Sequence, residues 1–463
     1  MAGGTNIIDT VLTLGNSPNA TGTVVLAGGS LWVTNAAGTA VLELRTGALL
    51  LNAGTLSVDK LIVTNGVSSL FTFNGGALSS RSSFFTNGAN PVVVGAAGNT
   101  ATLDFQGTTH SLANGLTLGN SAGSRGVVWM TGTQLVVTNG DTKIGFSGVG
   151  QMTMSNGTWR SRRVDVGSSG SSVGTLTIAG GDCFIAGSLF LGFSATATGT
   201  VWVTGGQLTN DSTRIGQINF GQMTVSNGIV RTKAVLVAGD NFGSRGLFTV
   251  AGGTNLVDTS LTLGNFNCTS TGAVILAGGS LFVTNSAGNA LLEVRSGTLT
   301  VSAGTLVIDN LVLTNACGRL VKGGGTVSAT TTNLDPNLSA VGDSIPNSWK
   351  QQYGFDPFDP NVASTDSDND GCDNLCEYLS GGNPLADIKS IKREGNDIRV
   401  TWLAGNAKPS ALQRSPGAGG SYSTNNFADI FIVTNNFISI TNHLDVGAAT
   451  NVPAFYYRVR LVP

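Results

Sequence analysis

Across residues 1–333, apolar and polar positions alternate in runs of four to six, and Gly, Asn or Ser closes each run. The stretch Gly174-Thr-Leu-Thr-Ile-Ala-Gly-Gly-Asp-Cys-Phe-Ile-Ala-Gly-Ser-Leu-Phe-Leu-Gly192 shows the pattern. A period of two is that of a strand; a helix would repeat apolar residues every three to four positions and hold few glycines. The phrase Gly-x-apolar-x-apolar-x-(Gly/Asn)-Gly starts at Gly22, Gly47, Gly126, Gly150, Gly174, Gly199, Gly221, Gly246, Gly272 and Gly297, spaced 22 to 26 residues apart from Gly126 onward. The 79 residues between Gly47 and Gly126 fit three more units, with worn copies near Leu70 and Ala101. A propeller blade needs about 40–45 residues, so three short strands in about 25 predict an all-β fold, a parallel β-helix solenoid. Each coil then pairs its backbone with the coils on either side, and alternate side chains fill the interior.

A longer duplication is superimposed. Residues 2–16 reappear at 251–265, and the match continues to Asn65 against Asn315, an offset of 249 and then 250 that reads as ten coils. Met1 falls where Val250 sits, inside a unit. The first coil is therefore expected either to leave strand edges open for end-to-end self-association or filament formation, or to follow further coils and an export signal. Thr-Asn or Ser-Asn recurs at strand ends (Asn35, Asn65, Asn139, Asn156, Asn227, Asn285 and Asn315), where Asn suits tight corners and stacked amides are expected to bond along the axis.

The phrases Leu70-Phe-Thr-Phe-Asn-Gly-Gly-Ala-Leu78, Thr109-His-Ser-Leu-Ala-Asn-Gly-Leu116 and Gly297-Thr-Leu-Thr-Val-Ser-Ala-Gly-Thr-Leu306 resemble the autotransporter-associated β-strand repeats of bacterial secreted and surface proteins. The resemblance covers roughly residues 1–330. It implies export, a right-handed parallel β-helix and an adhesive or scaffolding role. No C-terminal membrane barrel follows the repeats, so self-transport is not implied.

Charge divides the chain further. Residues 1–333 carry a net +3, residues 334–386 a net −8 and residues 387–463 a net +3. Within the acidic segment, Asp366-Ser-Asp368-Asn-Asp370-Gly371-Cys372-Asp-Asn374-Leu-Cys-Glu377 matches the twelve-residue calcium loop. Asp366, Asp368 and Asp370 converge as the chain turns at Gly371, the Cys372 carbonyl adds an oxygen, Asn374 holds the ninth position and Glu377 closes the site from a helical turn. Asp373 stands where an apolar residue is usual; Leu375, Tyr378 and Leu379 give the helix an apolar side. The loop resembles those of dockerins and thrombospondin type 3 repeats, which implies one bound calcium ion (Ca2+). Upstream, residues 339–350 look like a worn first copy, with Ser339, Val341 and Asp343 at positions 1, 3 and 5, Ser344 in place of Gly and Lys350 in place of the closing Glu. That copy should bind no calcium, and Trp349, Tyr353 and Phe355 should pack the module.

From about residue 387, short strands at 398–403, 431–433, 437–441 and 455–461 alternate with turns, as in a small antiparallel β-sandwich. The pattern resembles a fibronectin type III-like domain with Trp402 and the Tyr456-Tyr457 strand in its core. The expected organisation is a β-helix over 1–333, a calcium-loop module over 334–386 and a sandwich over 387–463.

The candidate chemistry is sparse. Glycan cleavage needs paired carboxylates or a metal-bound set beside a base, but the solenoid's 12 acidic residues mostly occur singly and at repeat-equivalent places, such as Asp9 with Asp258 and Glu43 with Glu293. The two histidines, His110 and His443, lie in different regions, and no Ser-His-Asp or Cys-His pattern is readable. Arg160, Arg162 and Arg163, with Arg231 and Lys233 repeating the first two at an offset of 71, form a stripe that could meet an anionic glycan or simply be solvated. A net charge of −2 and no larger basic cluster argue against nucleic acid. Mean hydropathy is +0.19, yet every apolar run is interrupted far short of the ~20 residues of a spanning helix. Five cysteines at irregular spacing show neither a disulfide framework nor a zinc pattern. The expected function is a non-catalytic extracellular scaffold or adhesin, with a carbohydrate-active β-helix as the rival.

Overall fold

The structure is a computed structural model of the whole chain. It describes all residues except 18, 65–68, 87–89, 369–371, 381–383, 386–387, 405–408, 417–425, 435–438, 451–454 and 462–463. Two compact units result, Met1–Leu334 and Asp335–Pro463. Among the described residues, no helix is long and apolar enough to cross a membrane.

The first unit is a parallel β-solenoid of about 13 turns and about 25 residues per turn. Every turn visits three faces in the same order. One turn contributes Val149–Met154 to face 1, Gly157–Ser161 to face 2 and Val164–Val166 to face 3. The next contributes Val173–Ile178 to face 1, where Met152 pairs with Leu176 and Met154 with Ile178. Alternation puts those four side chains inside and the intervening Thr153 and Thr177 outside. Stacking each rung on the last makes interior columns of aliphatic side chains, almost all without solvent exposure. At about 25 cal/mol per Å², these columns are the main source of the unit's stability.

The repeated Gly at the start of face 1 has a steric cause. Gly145, at φ 73°, ends face 3 and turns the corner. The corner is so tight that a Cβ on Gly150 would lie 1.9 Å from the Gly145 nitrogen. The same collision recurs one rung on, where a Cβ on Gly174 would lie 2.4 Å from the Gly167 nitrogen. The phrase therefore marks a backbone-to-backbone approach, in addition to the turns that glycine content suggested.

The duplication does not correspond to ten coils. Thr5–Ile8 lies on face 1, pairing with residues 30–33, while its counterpart Thr254–Val257 lies on face 2, pairing with Ile229–Thr232. The copies are thus ten and a third turns apart. The Gly phrase changes face accordingly: Gly22, Gly47 and Ser69 form one column, whereas Ala101, Gly126 and Gly150 form another on the next face. Three near-equivalent faces allow the same sequence to be laid down in either phase.

Acidic residues repeated between the copies serve the fold. Asp59, 1% exposed, accepts the N–H groups of Asn35 and Ala40 at 2.9 and 3.2 Å; Asp309 does the same for Asn285 and Ala290 at 2.9 and 3.1 Å. The expected amide ladders through the recurrent Asn are not how those residues are used. Asn35 and Asn285 donate to the backbone carbonyls of Asp9 and Asp258 one rung back, and Asn156 and Asn227 accept the N–H of the following glycine. A local backbone partner is nearer than the next amide; Asn65 lies outside the described residues. Two disulfides form although the spacing showed no framework. Cys268–Cys317 spans 49 residues, two coils, and Cys372–Cys376 spans four. Cys183 is free and faces the interior, where burial pushes its thiol pKa up.

Among its described residues, the second unit combines two short α-helices and a 3-10 turn with two three-stranded antiparallel sheets. The first sheet orders Ile388–Glu394, Asp397–Ala404 and Ser439–Asp445; the second places Ser410–Pro416 between Ala428–Val433 and Phe455–Leu461. Val400, Trp402 and Leu412 are fully buried, with Tyr457 against them. Asp445 ties the sheets together by accepting Arg414 at 2.6 and 2.8 Å and the Tyr457 hydroxyl at 2.8 Å. The strand alternation does not mark Ile388–Glu394 or Ser410–Pro416, because Lys and Arg crowd the first and Pro416 ends the second.

Candidate ligand and metal sites

The basic residues separate into two grooves and a spare. Val136, Arg160, Phe184, Thr209 and Arg231 occupy one outward row of face 2, so three rungs separate the two arginines, ~14 Å at strand spacing. Arg160, Arg162 and Lys233 line a groove of about 400 Å³ with Phe184 and Thr209. The Arg160 guanidinium lies 4.6 Å from the Phe184 ring centre, a cation–π contact that holds it over the groove. Arg162 pairs with Asp141 at 2.8 Å. Arg231 is drawn away, with Nε 2.9 Å from Asp258 Oδ2, and does not line the groove. Arg163 belongs to a second groove of about 240 Å³, stacked on Phe190 and Phe193 at 4.5 and 4.8 Å and paired with Asp165 at 2.7 Å. Burial raises the Asp165 pKa, and the Arg163 hydrogen bond opposes that rise.

A serine–histidine pair exists that spacing did not suggest, because Ser83 and His110 are 27 residues apart and meet only through stacked rungs. His110 Nε2 lies 2.9 Å from the Gln106 carbonyl, which accepts its proton, leaving Nδ1 to accept the Ser83 hydroxyl at 2.7 Å. Both residues face the interior, with 3% and 0% exposure. Burial lowers the His110 pKa to about 4, outweighing the Gln106 bond and the Asp104 charge. The unfolded chain protonates near 6.5, so the folded state's advantage is complete above that pH and is lost as pH falls toward 4. A loss on the order of 2 kcal/mol by pH 5 is expected from this one group. Urea unfolding at pH 7 and pH 5 should show His110→Gln losing less stability on acidification than the parent; equal losses would contradict it.

The acidic loop is described in part. Asp370 and Gly371 lie outside the described residues, and among the rest no group of three or more His, Cys, Asp or Glu is placed to hold a metal. What is visible is the loop's exit. Helix Asn374–Ser380 begins directly after it, with Asp373 accepting the Cys376 N–H at 2.8 Å; Asp373 is therefore a helix cap, which accounts for a carboxylate at that position. Asn374 is fully buried and donates to the Val362 carbonyl at 2.7 Å, while its Oδ1 is buried without a hydrogen bond. Glu377 is 3% exposed. Asp366 and Asp368 precede the undescribed residues 369–371. Leu379, expected on the apolar side, is 73% exposed.

Residues 335–350 repeat this geometry 27 positions earlier. The Asn347 N–H meets the Leu338 carbonyl at 2.8 Å as that of Asn374 meets Thr365 at 2.8 Å, and Asn347 Nδ2 reaches the Asp335 carbonyl at 2.9 Å. Ser344 adopts φ 73° at the position of Gly371. Lys350, at the position of Glu377, is fully buried with its ammonium 2.6 Å from Asp343 Oδ2. Its ammonium therefore offsets the charge of the Asp343 carboxylate, the fifth residue of that copy. Trp349 packs against Tyr353, Phe355 and Tyr378 with ring centres 4.8 to 5.9 Å apart.

By fold, the first unit is a parallel β-solenoid. No protein-family model, curated protein or solved structure matches the chain.

Proposed function

We propose that the chain is a non-catalytic extracellular scaffold or adhesin of a bacterial surface or matrix. The observation that carries this reading is the enclosure of the Ser83–His110 pair inside the solenoid, out of reach of any polymeric substrate. The repeated acids support it, since Asp59 and Asp309 are spent on corner amides. Two disulfides favour an oxidising compartment. Anionic glycans are the proposed ligands of the groove at Arg160, Arg162 and Lys233. The full chain should bind polygalacturonate or alginate without depolymerising it; turnover abolished by one solenoid substitution would overturn the reading in favour of a carbohydrate-active β-helix.

The second part of the proposal is one calcium ion held by Asp366, Asp368, Asp370, the Cys372 carbonyl, Asn374 and Glu377. The buried, unbonded Asn374 Oδ1 and the twin loop that substitutes an ammonium support it. Titration calorimetry of the full chain should give a stoichiometry of one, lost in Glu377→Gln. A stoichiometry of two would mean that Lys350 does not block the first loop, and zero would remove calcium.

A further inference from the structure

The solenoid holds four of the six tryptophans, and they divide by face. Trp159 points inward on face 2 and is fully buried, whereas Trp32, Trp129 and Trp202 are 43%, 46% and 39% exposed. All three exposed indoles stand in one outward row of face 1. From Trp129 the row runs through Thr153 and Thr177 to Trp202. In the other direction it passes Asp104, Ser79 and Ser57 to Trp32. Trp129 and Trp202 are therefore three rungs apart, ~14 Å, with two threonines between them. The adjacent outward row carries Val127, Gln151, Thr175 and Thr200 beside the same rungs, and Gln222 one rung beyond. Between Trp129 and Trp202 these two rows contain no charged residue; one cation borders them, Arg125, which donates to Gln151 Oε1 at 2.5 Å.

We propose that this part of face 1 binds a neutral, extended polysaccharide lying along the solenoid axis. The inference rests on the reading of the chain as a glycan-binding surface protein, but it uses a different face from the cationic groove and a different class of glycan. A pyranose ring presents an apolar C–H face, whose polarised hydrogens suit the electron-rich face of an indole, and a rim of hydroxyls that must keep hydrogen-bond partners on binding. Trp129 and Trp202 supply the stacking faces; Thr153, Thr177, Thr175 and Thr200 supply hydroxyls between them. With Arg125 as the one bordering cation, an acidic polymer gains far less here than at the arginines of face 2. A regular sheet spaces its rungs evenly, which suits a polymer with a fixed repeat, and indoles on a rigid sheet lose little freedom on binding.

Affinity electrophoresis of the full chain through soluble xylan, hydroxyethyl cellulose and polygalacturonate tests the proposal. Retardation is expected in at least one neutral polymer, weakened about tenfold by Trp129→Ala or Trp202→Ala and abolished by the double variant. Arg160→Ala with Lys233→Ala should leave that retardation unchanged while weakening polygalacturonate binding. Since these side chains point outward, unchanged melting temperatures would show that the variants are folded. Three results would overturn the proposal: no neutral polymer retards the chain, the double variant binds as the parent does, or the double variant instead changes the sedimentation coefficient, which would make the row a contact between copies. Cleavage of a bound glycan would sink the non-catalytic reading and leave the tryptophan dependence of binding measurable on its own.

Discussion

Gly150→Ala should destabilise the solenoid by about 4 kcal/mol or more, among the largest effects of any single substitution outside its apolar columns. The added methyl would meet the Gly145 nitrogen at 1.9 Å, and Gly145 is itself held at φ 73° by the corner. Neither partner is a side chain that can swing aside. Relief would require the rung to shift against both neighbours and lose pairings on each side. Gly170→Ala is the control: unlike Gly150, Gly170 sits at a positive φ, 55°, but its Cβ would meet nothing within 4 Å. It should cost only about 1 kcal/mol, the ordinary preference for glycine there. Denaturant unfolding of both variants checks the contrast. A loss at Gly150 no larger than that at Gly170 would show that the close approach does not explain the repeated glycine.

Lys350→Met should destabilise the second unit by about 3 kcal/mol or more, even in saturating calcium. Lys350 is fully buried, and removing its ammonium leaves Asp343 with an uncompensated charge beside an apolar side chain. Asp343 cannot simply turn to solvent, because its Oδ1 also accepts the Ser339 hydroxyl at 2.7 Å and the Ile345 N–H at 3.1 Å. The double variant Asp343→Asn with Lys350→Met should recover most of the loss, since a carboxamide oxygen can keep those two bonds without a charge. Scanning calorimetry of the full chain would read both. A single variant as stable as the parent would show that the pair contributes nothing.

The solenoid was legible because its determinants are local and repeated. Alternation within Gly174–Gly192 specifies strands, and the short recurrence leaves room for three of them per coil. The two loop copies share one register for the same reason: Ser344, Asn347 and Lys350 stand 27 positions before Gly371, Asn374 and Glu377, and that register is a property of consecutive residues. Trp129 and Trp202, each three residues after a phrase glycine, share an outward position that the repeat already contained. Which residues meet across the rungs depends instead on accumulated turn lengths, and small changes in corners between residues 47 and 126 move the Gly phrase to another face. The one-third-turn rotation of the duplicated segment, the alignment of Trp32 with Trp129, the Ser83–His110 pair and the Cys268–Cys317 bond all depend on that sum. Sequence periodicity thus determined that the chain winds into a parallel solenoid and where an acidic loop follows it. Only the tertiary structure decided which side chains share a row, because a repeat specifies the step between coils but not the phase at which each coil stacks on the last.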